Sequence, residues 1–248
     1  MKIYFLGTNG WYDTAVGSTP CFLIDTKDKY IILDAGFGLH KVAGLLKEDK
    51  PVYLFLSHFH MDHICGLHVL PLLNKKIKHL TIIGRKGLKK MLDTVARHPY
   101  EFNYSKMDFK IDLKEIKSGK YTLPFDFVCK ELVHIDGCLG YRFELEGKTI
   151  VYCTDTKICE NDFLLAQGAD VLLHECAYRV KVPDDFWGHT SPEEAGELAK
   201  KANVKKMFLV HFGTNAFPTR PSRLVAQNRA RQKFKNTFAA FDGDKIVL

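Results

Sequence analysis

The residues best equipped for chemistry stand together in Ser57-His58-Phe59-His60-Met61-Asp62-His63. Imidazole nitrogen and carboxylate oxygen are the donors that hold divalent metals of borderline hardness. The stretch follows Val52-Tyr53-Leu54-Phe55-Leu56, a continuous apolar run with the character of a buried strand, so four donors are delivered at one strand end, where sites commonly form. Alternate side chains of extended backbone share a face, which aims His58 and His60 at one ion. Asp62 and His63 come after the chain has begun to turn and can diverge toward a second. A lone histidine is more often a hydrogen-bonded core residue than a ligand. Three histidines and an aspartate clustered after a strand read as a metal site.

The elements that must position this cluster follow from pattern. Strands are expected over residues 2–6, 21–25 and 30–33, the last ending at Asp34-Ala35-Gly36, and a long loop over 7–19. A helix over 39–47 leads into the strand before the cluster. A strand over 80–83 and a helix over 86–97 follow, then strands over 109–116 and 125–133, the second ending at His134. Glu146-Gly147-Lys148 marks a hairpin between 141–145 and 149–153, whose second arm ends at Thr154-Asp155. A strand over 169–173 ends in His174-Glu175. Ser191-Pro192-Glu193-Glu194 is a helix start with a capping-box pattern, and a strand over 207–210 ends at His211. A basic helix over 220–235 and a hairpin over 237–248 complete the chain.

His58, His134, Asp155, His174 and His211 thus stand just past predicted strands, and metal-capable residues at the strand ends of one sheet system converge on one edge. A catalytic dinuclear centre needs about three protein groups per ion and a bridge. His58, His60 and His134 suit one ion, Asp62, His63 and His211 the other, with Asp155 between. Two divalent ions are therefore expected, zinc first, with manganese or iron as alternatives. His134 or His211 taken singly reads equally well as a structural histidine.

Composition narrows the setting. The 248 residues, 46% of them hydrophobic, allow one large α/β domain spanning the chain, and no linker or low-complexity tract divides it. Met1-Lys2-Ile3-Tyr4-Phe5-Leu6-Gly7 is too short an apolar run for a signal peptide, and no segment approaches membrane-spanning length, so a soluble, cytoplasmic protein without a membrane partner is expected. The 7 cysteines are odd in number, scattered and without a CxxC pair, which argues against a disulfide scaffold. A formal charge of +7 permits an anionic substrate without identifying one.

The HxHxDH of residues 58 to 63, with His134, Asp155 and His211, resembles the metallo-β-lactamase superfamily. His174-Glu175-Cys176-Ala177 resembles the HEAT loop, and His189-Thr190-Ser191 the His-Ser-Thr loop, of its RNase Z branch. The resemblance implies an α/β, four-layer αββα sandwich with two metals at one edge and suggests a homodimer. It implies that His189 protonates the leaving oxygen of a phosphodiester and that Glu175 orients His189; in the hydrolase expected here Asp62 and Asp155 orient the attacking hydroxide. The physics agrees, because a carboxylate partner fixes the imidazole tautomer and favours the protonated ring; a purely structural pair is the alternative. Asp34 matches the Asp-Ala-Gly motif, whose carboxylate orients the metal histidines.

Two features of the RNase Z branch are missing. The interval from His134 to Asp155 is too short for the arm that grips transfer RNA, and the PxKxRN loop has no counterpart. A small phosphodiester or cyclic phosphate is therefore the expected substrate; nucleic acid stays open, but tight transfer RNA binding is not expected. Hydrolysis of carboxylic esters, lactones or thioesters on the same metals, and RNA processing, are the alternatives. Arg85, Arg220 and Arg223 could meet phosphate, and Phe186 and Trp187 could stack on a base or pack in the core. A di-iron redox protein is expected to carry glutamate where His60 stands.

Overall fold

The computed structural model describes residues 1–122 and 124–248. In chain order the strands are β1 (Lys2–Gly7), β2 (Asn9–Gly10), β3 (Cys21–Asp25), β4 (Tyr30–Leu33), β5 (Val52–Phe55), β6 (His79–Arg85), β7 (Lys110–Ile116), β8 (Gly119–Tyr121), β9 (Phe127–Leu132), β10 (Cys138–Leu145), β11 (Lys148–Cys153), β12 (Val171–Cys176), β13 (Met207–Gly213), β14 (Thr237–Ala239) and β15 (Lys245–Val247). The α-helices are α1 (Met61–Ile64), α2 (Leu88–Val95), α3 (Glu160–Ala166), α4 (Pro192–Lys201) and α5 (Arg220–Arg231). Pairing gives two sheets, ordered β15-β1-β3-β4-β5-β6-β7 and β14-β13-β12-β11-β10-β9-β8, with β2 added to β13. The chain divides along the same line into two compact units, one of Met1–Gly7, Ser18–Ile116 and Asp242–Leu248, the other of Thr8–Gly17 and Lys117–Phe241.

In the first unit β4, β5, β6 and β7 run parallel. Every residue of β4 is buried, as expected of a parallel strand covered on both faces. The expected helix over 39–47 is instead a 3₁₀ segment, Phe37–Gly44, and a second such segment, Cys65–Leu73, holds Pro71. These apolar turns pack Leu39, Val42, Leu67 and Leu70 against Leu23, Ile32 and Leu54 of the sheet.

In the second unit an antiparallel run from β8 to β11 continues into parallel β12, β13 and β14. Helix α4 begins as the sequence implied, with Pro192 at its first turn and the Glu194 carboxylate accepting the Ser191 N–H at 3.2 Å and hydroxyl at 2.7 Å. Leu198 and Ala199 of α4 and Ala226 and Ala230 of α5 join the core built on Leu172, Leu209 and Phe212.

Further expectations need correction. The C-terminal segment is not a hairpin, because β14 pairs with β13 whereas β15 pairs with β1. Asp242 and Gly243 are committed elsewhere: the Asp242 carboxylate accepts the Ser18 N–H at 2.8 Å and the Lys41 ammonium at 2.6 Å, and the Gly243 N–H donates to Phe5 O at 2.8 Å. Strand β8 and helix α3 carry too few periodic residues to announce themselves. Strands β12 and β13 run further than expected, so His174, Glu175 and His211 lie inside strands rather than past them. Among the described residues no helix is long and apolar enough to cross a membrane, and all seven cysteines are free thiols.

Candidate metal centre

Each unit carries its own set of donors. In the first, Asp34 follows β4 with a left-handed backbone (φ 57°) and is fully buried. Its carboxylate accepts the Ser57 N–H at 2.7 Å and the Ser57 hydroxyl at 2.8 Å, and lies 2.7 Å from His63 Nδ1. An ionised carboxylate only accepts, so the His63 proton sits on Nδ1 and the Nε2 lone pair is presented outward. That Nε2 lies 3.5 Å from Asp62 Oδ2. The ring of His58 lies 4.2 Å from that of His63 and 4.5 Å from that of His60, centroid to centroid, and Ser57 Oγ is 3.1 Å from His58 Nδ1. His60 caps α1, whose first turn carries Asp62 and His63. The expected turn after His60 is therefore this short helix.

In the second unit Asp155 is the pivot. It follows β11, is buried, and has φ 41°. One carboxylate oxygen stands 3.2 Å from His211 Nε2 and the other 4.0 Å from His134 Nε2. Thr154 fixes the carboxylate with a 2.7 Å hydrogen bond. His134 has its Nδ1 3.4 Å from Gly188 O, which presents its Nε2 toward Asp155. His211 reaches the site from within β13 because it is the residue skipped in the register, in which Glu175 pairs with Val210 and Cys176 with Phe212. A bulge of this kind re-aims a side chain, and φ 47° at His211 is its signature. Gly10 completes the fit, since a Cβ there would fall 2.5 Å from His211 Cε1.

Asp155, His189 and His211 all offer ligand atoms within 4.8 Å of one another. His189 Nδ1 lies 2.8 Å from Glu175 Oε1. Glu175 is fully buried and also accepts the N–H groups of Thr156 at 2.8 Å and Ala177 at 2.9 Å. Burial pulls the His189 imidazole down, but the Glu175 carboxylate first, then Asp155 and Asp185, outweigh it and carry the pKa to about 9. The ring is therefore a cation at neutral pH in the metal-free chain.

The donors suit divalent metal. With bonds of about 2.0–2.1 Å, two ligands of one tetrahedral ion stand roughly 3.4 Å apart; the carboxylate–imidazole spacings of 3.5, 3.2 and 4.0 Å cluster around that value. All the donors are nitrogen or oxygen, with no thiolate among them, which fits zinc, manganese or iron.

Other candidates fall away. His174 donates its attention to a separate buried pair, with Nε2 3.1 Å from Asp162 Oδ2 and Nδ1 2.9 Å from Glu175 O. Arg223 cannot meet phosphate: it is fully buried, bonded to Thr8 Oγ1 at 2.9 Å and to Asn9 Oδ1, and stacked over Phe212. Phe186 and Trp187 are exposed, at 72% and 53%, so core packing is excluded for them. Sequence reasoning missed Asp162, Tyr178 and Asp185. Only Asp185 left a signal, an aspartate opening Asp185-Phe186-Trp187-Gly188, the pattern of a side chain that caps its own turn.

Comparison with known proteins accords with this geometry. A family model described as "Beta-lactamase superfamily domain" matches residues 29–212, a span that draws on both units. The chain is similar to a ribonuclease BN of Proteus mirabilis (strain HI4320), 26% identical with all of both chains covered. In structure it is similar to the metallo-beta-lactamase fold protein YhfI from Bacillus subtilis, with a TM-score of 0.82, 22% identity and 99% of each chain covered. It is also similar to a diphosphatase from the PhnP family, with a TM-score of 0.74, 17% identity and coverage of 100% of this chain and 97% of that one. These likenesses give the fold, the αββα class expected from the sequence.

Proposed function

Because the chain belongs to the beta-lactamase superfamily, in its RNase Z-like branch, and is a metal-dependent hydrolase, we propose that it cleaves a small phosphodiester or cyclic phosphate. His58, His60 and His134 would hold one divalent ion, Asp62, His63 and His211 a second, with Asp155 bridging them. Bound there, the ions supply Lewis-acid charge that makes water a competent nucleophile near neutral pH and offsets charge building on phosphorus. The chain's own groups do the rest. Asp62 and Asp155 accept hydrogen bonds from the attacking water and aim it. Glu175 keeps the His189 Nδ1–H engaged, so the opposite Nε2–H is the one offered to substrate. As the phosphorus–oxygen bond breaks, that proton passes to the departing alkoxide.

The observation that carries this reading is the 2.8 Å pair of half-buried His189 and buried Glu175 beside Asp155 and His211. An imidazole whose Nδ1 is engaged by a carboxylate next to metal donors is placed to serve as a proton source for a poor leaving group. General acids of this kind contribute roughly 10²–10⁴ in rate. The test is a panel on zinc-loaded protein: bis(p-nitrophenyl) phosphate and 2′,3′-cyclic nucleotides turn over, whereas lactones, carboxylic esters and thioesters do not. Turnover of lactone or thioester without diester cleavage overturns the reading. A His189→Ala variant that loses zinc as well as activity would make His189 a ligand instead.

RNA processing is a second reading, favoured by relatives named as ribonucleases. Against it, the alignment with the Proteus protein runs over 315 positions while this chain has 248 residues, so that relative carries stretches without a counterpart here. Cleavage of precursor transfer RNA at rates above the small diesters would reverse the order. A cytoplasmic setting and a homodimer complete the proposal, the first supported by seven free thiols.

A further inference from the structure

His189 lies on a segment that runs from the end of β12 to the start of α4 without regular structure, and its aromatic residues Phe186 and Trp187 face solvent. Apolar burial therefore does not hold the imidazole in place. Hydrogen bonds do: Glu175 holds the ring, and those that hold the backbone beneath it converge on Asp185. Its Oδ2 accepts the N–H groups of Gly188 and His189, both at 2.7 Å. Its Oδ1 accepts the Tyr178 hydroxyl at 2.7 Å and the Trp187 N–H at 3.2 Å. Four donors meet the four lone-pair positions of one carboxylate.

Resting on the reading of His189 as proton donor, we propose that Asp185 is its positioning residue, latched by Tyr178, and that the same turn sets His134. The geometry supports both parts. Tyr178 binds Asp185 through its hydroxyl while its ring stands edge-on to the His189 ring, centroids 5.3 Å apart at 83°. One side chain thus braces the carboxylate and the imidazole together. The peptide that Asp185 fixes also carries Gly188 O, which faces His134 Nδ1, and Trp187 O, which accepts the Ile135 N–H at 3.1 Å. At Gly188 the backbone is left-handed (φ 85°) and a Cβ would strike Val133 O at 2.4 Å, so the turn passes tightly against the strand end that bears His134. The Asp185 carboxyl is held below its ordinary value: burial would raise it, but the Tyr178 hydroxyl and the N–H groups of His189, Gly188 and Trp187 outweigh burial.

Asp185→Asn removes one of the two accepting oxygens and turns an amide NH₂ toward groups that are themselves donors. Either the Gly188–His189 pair or the Tyr178–Trp187 pair is released. A displacement of about 1 Å at a reacting group costs on the order of 10²-fold in rate.

The test reads a ratio on the zinc-loaded full chain. 2′,3′-Cyclic AMP departs as a ribose alkoxide that needs a proton, whereas bis(p-nitrophenyl) phosphate departs as a nitrophenolate that does not. Asp185→Asn and His189→Ala are each expected to lower the cyclic-to-aryl rate ratio by about 10²-fold, and Tyr178→Phe by less. Both substrates are read on one sample, so loss of folded protein or of metal cancels from the ratio. A second readout needs no metal: in the metal-free chain amide exchange speeds up in Asp185→Asn, and not in His189→Ala, either at Gly188 and His189 or at Trp187, according to which pair the amide releases. If His189→Ala lowers the ratio and Asp185→Asn leaves it at the wild-type value, or if Trp187, Gly188 and His189 all exchange at wild-type rates in Asp185→Asn, the positioning role is refuted while the proton-donor reading stands. If His189→Ala itself leaves the ratio unchanged, or wild type cleaves neither substrate, the proton-donor reading fails and takes the proposal with it.

Discussion

Asp34→Asn isolates what the carboxylate behind the histidines does. Aspartate and asparagine both tolerate the left-handed backbone of this position (φ 57°), so the substitution spares the local fold. The amide oxygen can keep the Ser57 N–H, now at 2.7 Å from Asp34 Oδ1. The NH₂ group then faces His63 Nδ1 and Ser57 Oγ, where the carboxylate had accepted at 2.7 and 2.8 Å. A donor facing Nδ1 drives the His63 proton to Nε2, the atom a metal needs bare. Binding must then expel that proton or break the new hydrogen bond. Changes of this kind behind a ligand cost about 10–100-fold in metal affinity, or roughly 1.4–2.8 kcal/mol. Chelator-competition titration of zinc against wild type and variant measures it, with urea unfolding of the metal-free chains as the check on fold. Native zinc affinity in a folded Asp34→Asn chain refutes the tautomer argument.

Other perturbations follow from the same geometry. In the metal-free chain Glu175→Gln should bring His189 from about 9 down toward an ordinary histidine value of about 6.5; with the pKa raised in the folded state, its contribution to stability is present below about 6.5 and lost as pH climbs through 9. NMR titration reads it, and a ring still titrating near 9 excludes Glu175 as the cause. His174 is fully buried, and although burial lowers its pKa, Asp162 and then Glu175 raise it above the ordinary value. Its contribution is thus present below about 6.5 and lost as pH rises through the folded pKa, so the gap in urea midpoint between wild type and Asp162→Asn should narrow with rising pH; a gap that ignores pH rejects the pairing. Gly10→Ala drives a methyl into the His211 ring and should weaken zinc binding by about tenfold or more, measured by the same titration; unchanged affinity means that His211 is not a ligand. At Asp155, where φ is 41°, glycine should be the more stable replacement, with Asp155→Gly melting about 2–4 °C above Asp155→Ala in the metal-free chain, and the ordinary order of the two excludes strain there.

How much of this was legible depended on whether a feature is local. The strand before His58, the cluster itself, the Ser191 helix start and the hairpin at Glu146-Gly147 are written in neighbouring residues and appear as expected. His134 and Asp155 stand just past strands β9 and β11, as their apolar runs implied. His211 and His174 were misplaced because strand ends depend on partners: β13 is held in register by β12, β14 and β2, which no window of its own sequence reveals. The same holds for the C-terminal strands, whose turn looked like a hairpin until Asp242 found Ser18 and Lys41. Asp185 and Tyr178 act across a loop, and Arg223 looked available to phosphate because burial of a cation is visible only in three dimensions.

Arg223 also explains how an uncomfortable backbone is kept at the centre. Asp34, Asp155 and His211 all have positive φ, a conformation that costs of order 1–3 kcal/mol for a non-glycine residue and persists where its surroundings over-determine it. The two aspartates bear it easily, having short polar side chains, and each is fixed by its own hydrogen bonds. Histidine has no such advantage. At His211 the constraint comes from the loop over it, where Asn9 binds the carbonyl oxygens of Tyr12 at 3.0 Å and Gly17 at 2.7 Å while Arg223 grips Thr8 and Asn9 from below. The Phe212 N–H donates to Thr8 O at 2.9 Å, closing the chain from guanidinium to loop to bulge. A buried cation with no role toward phosphate thus holds the His211 ring, a proposed metal donor, in a conformation its own strand would not choose.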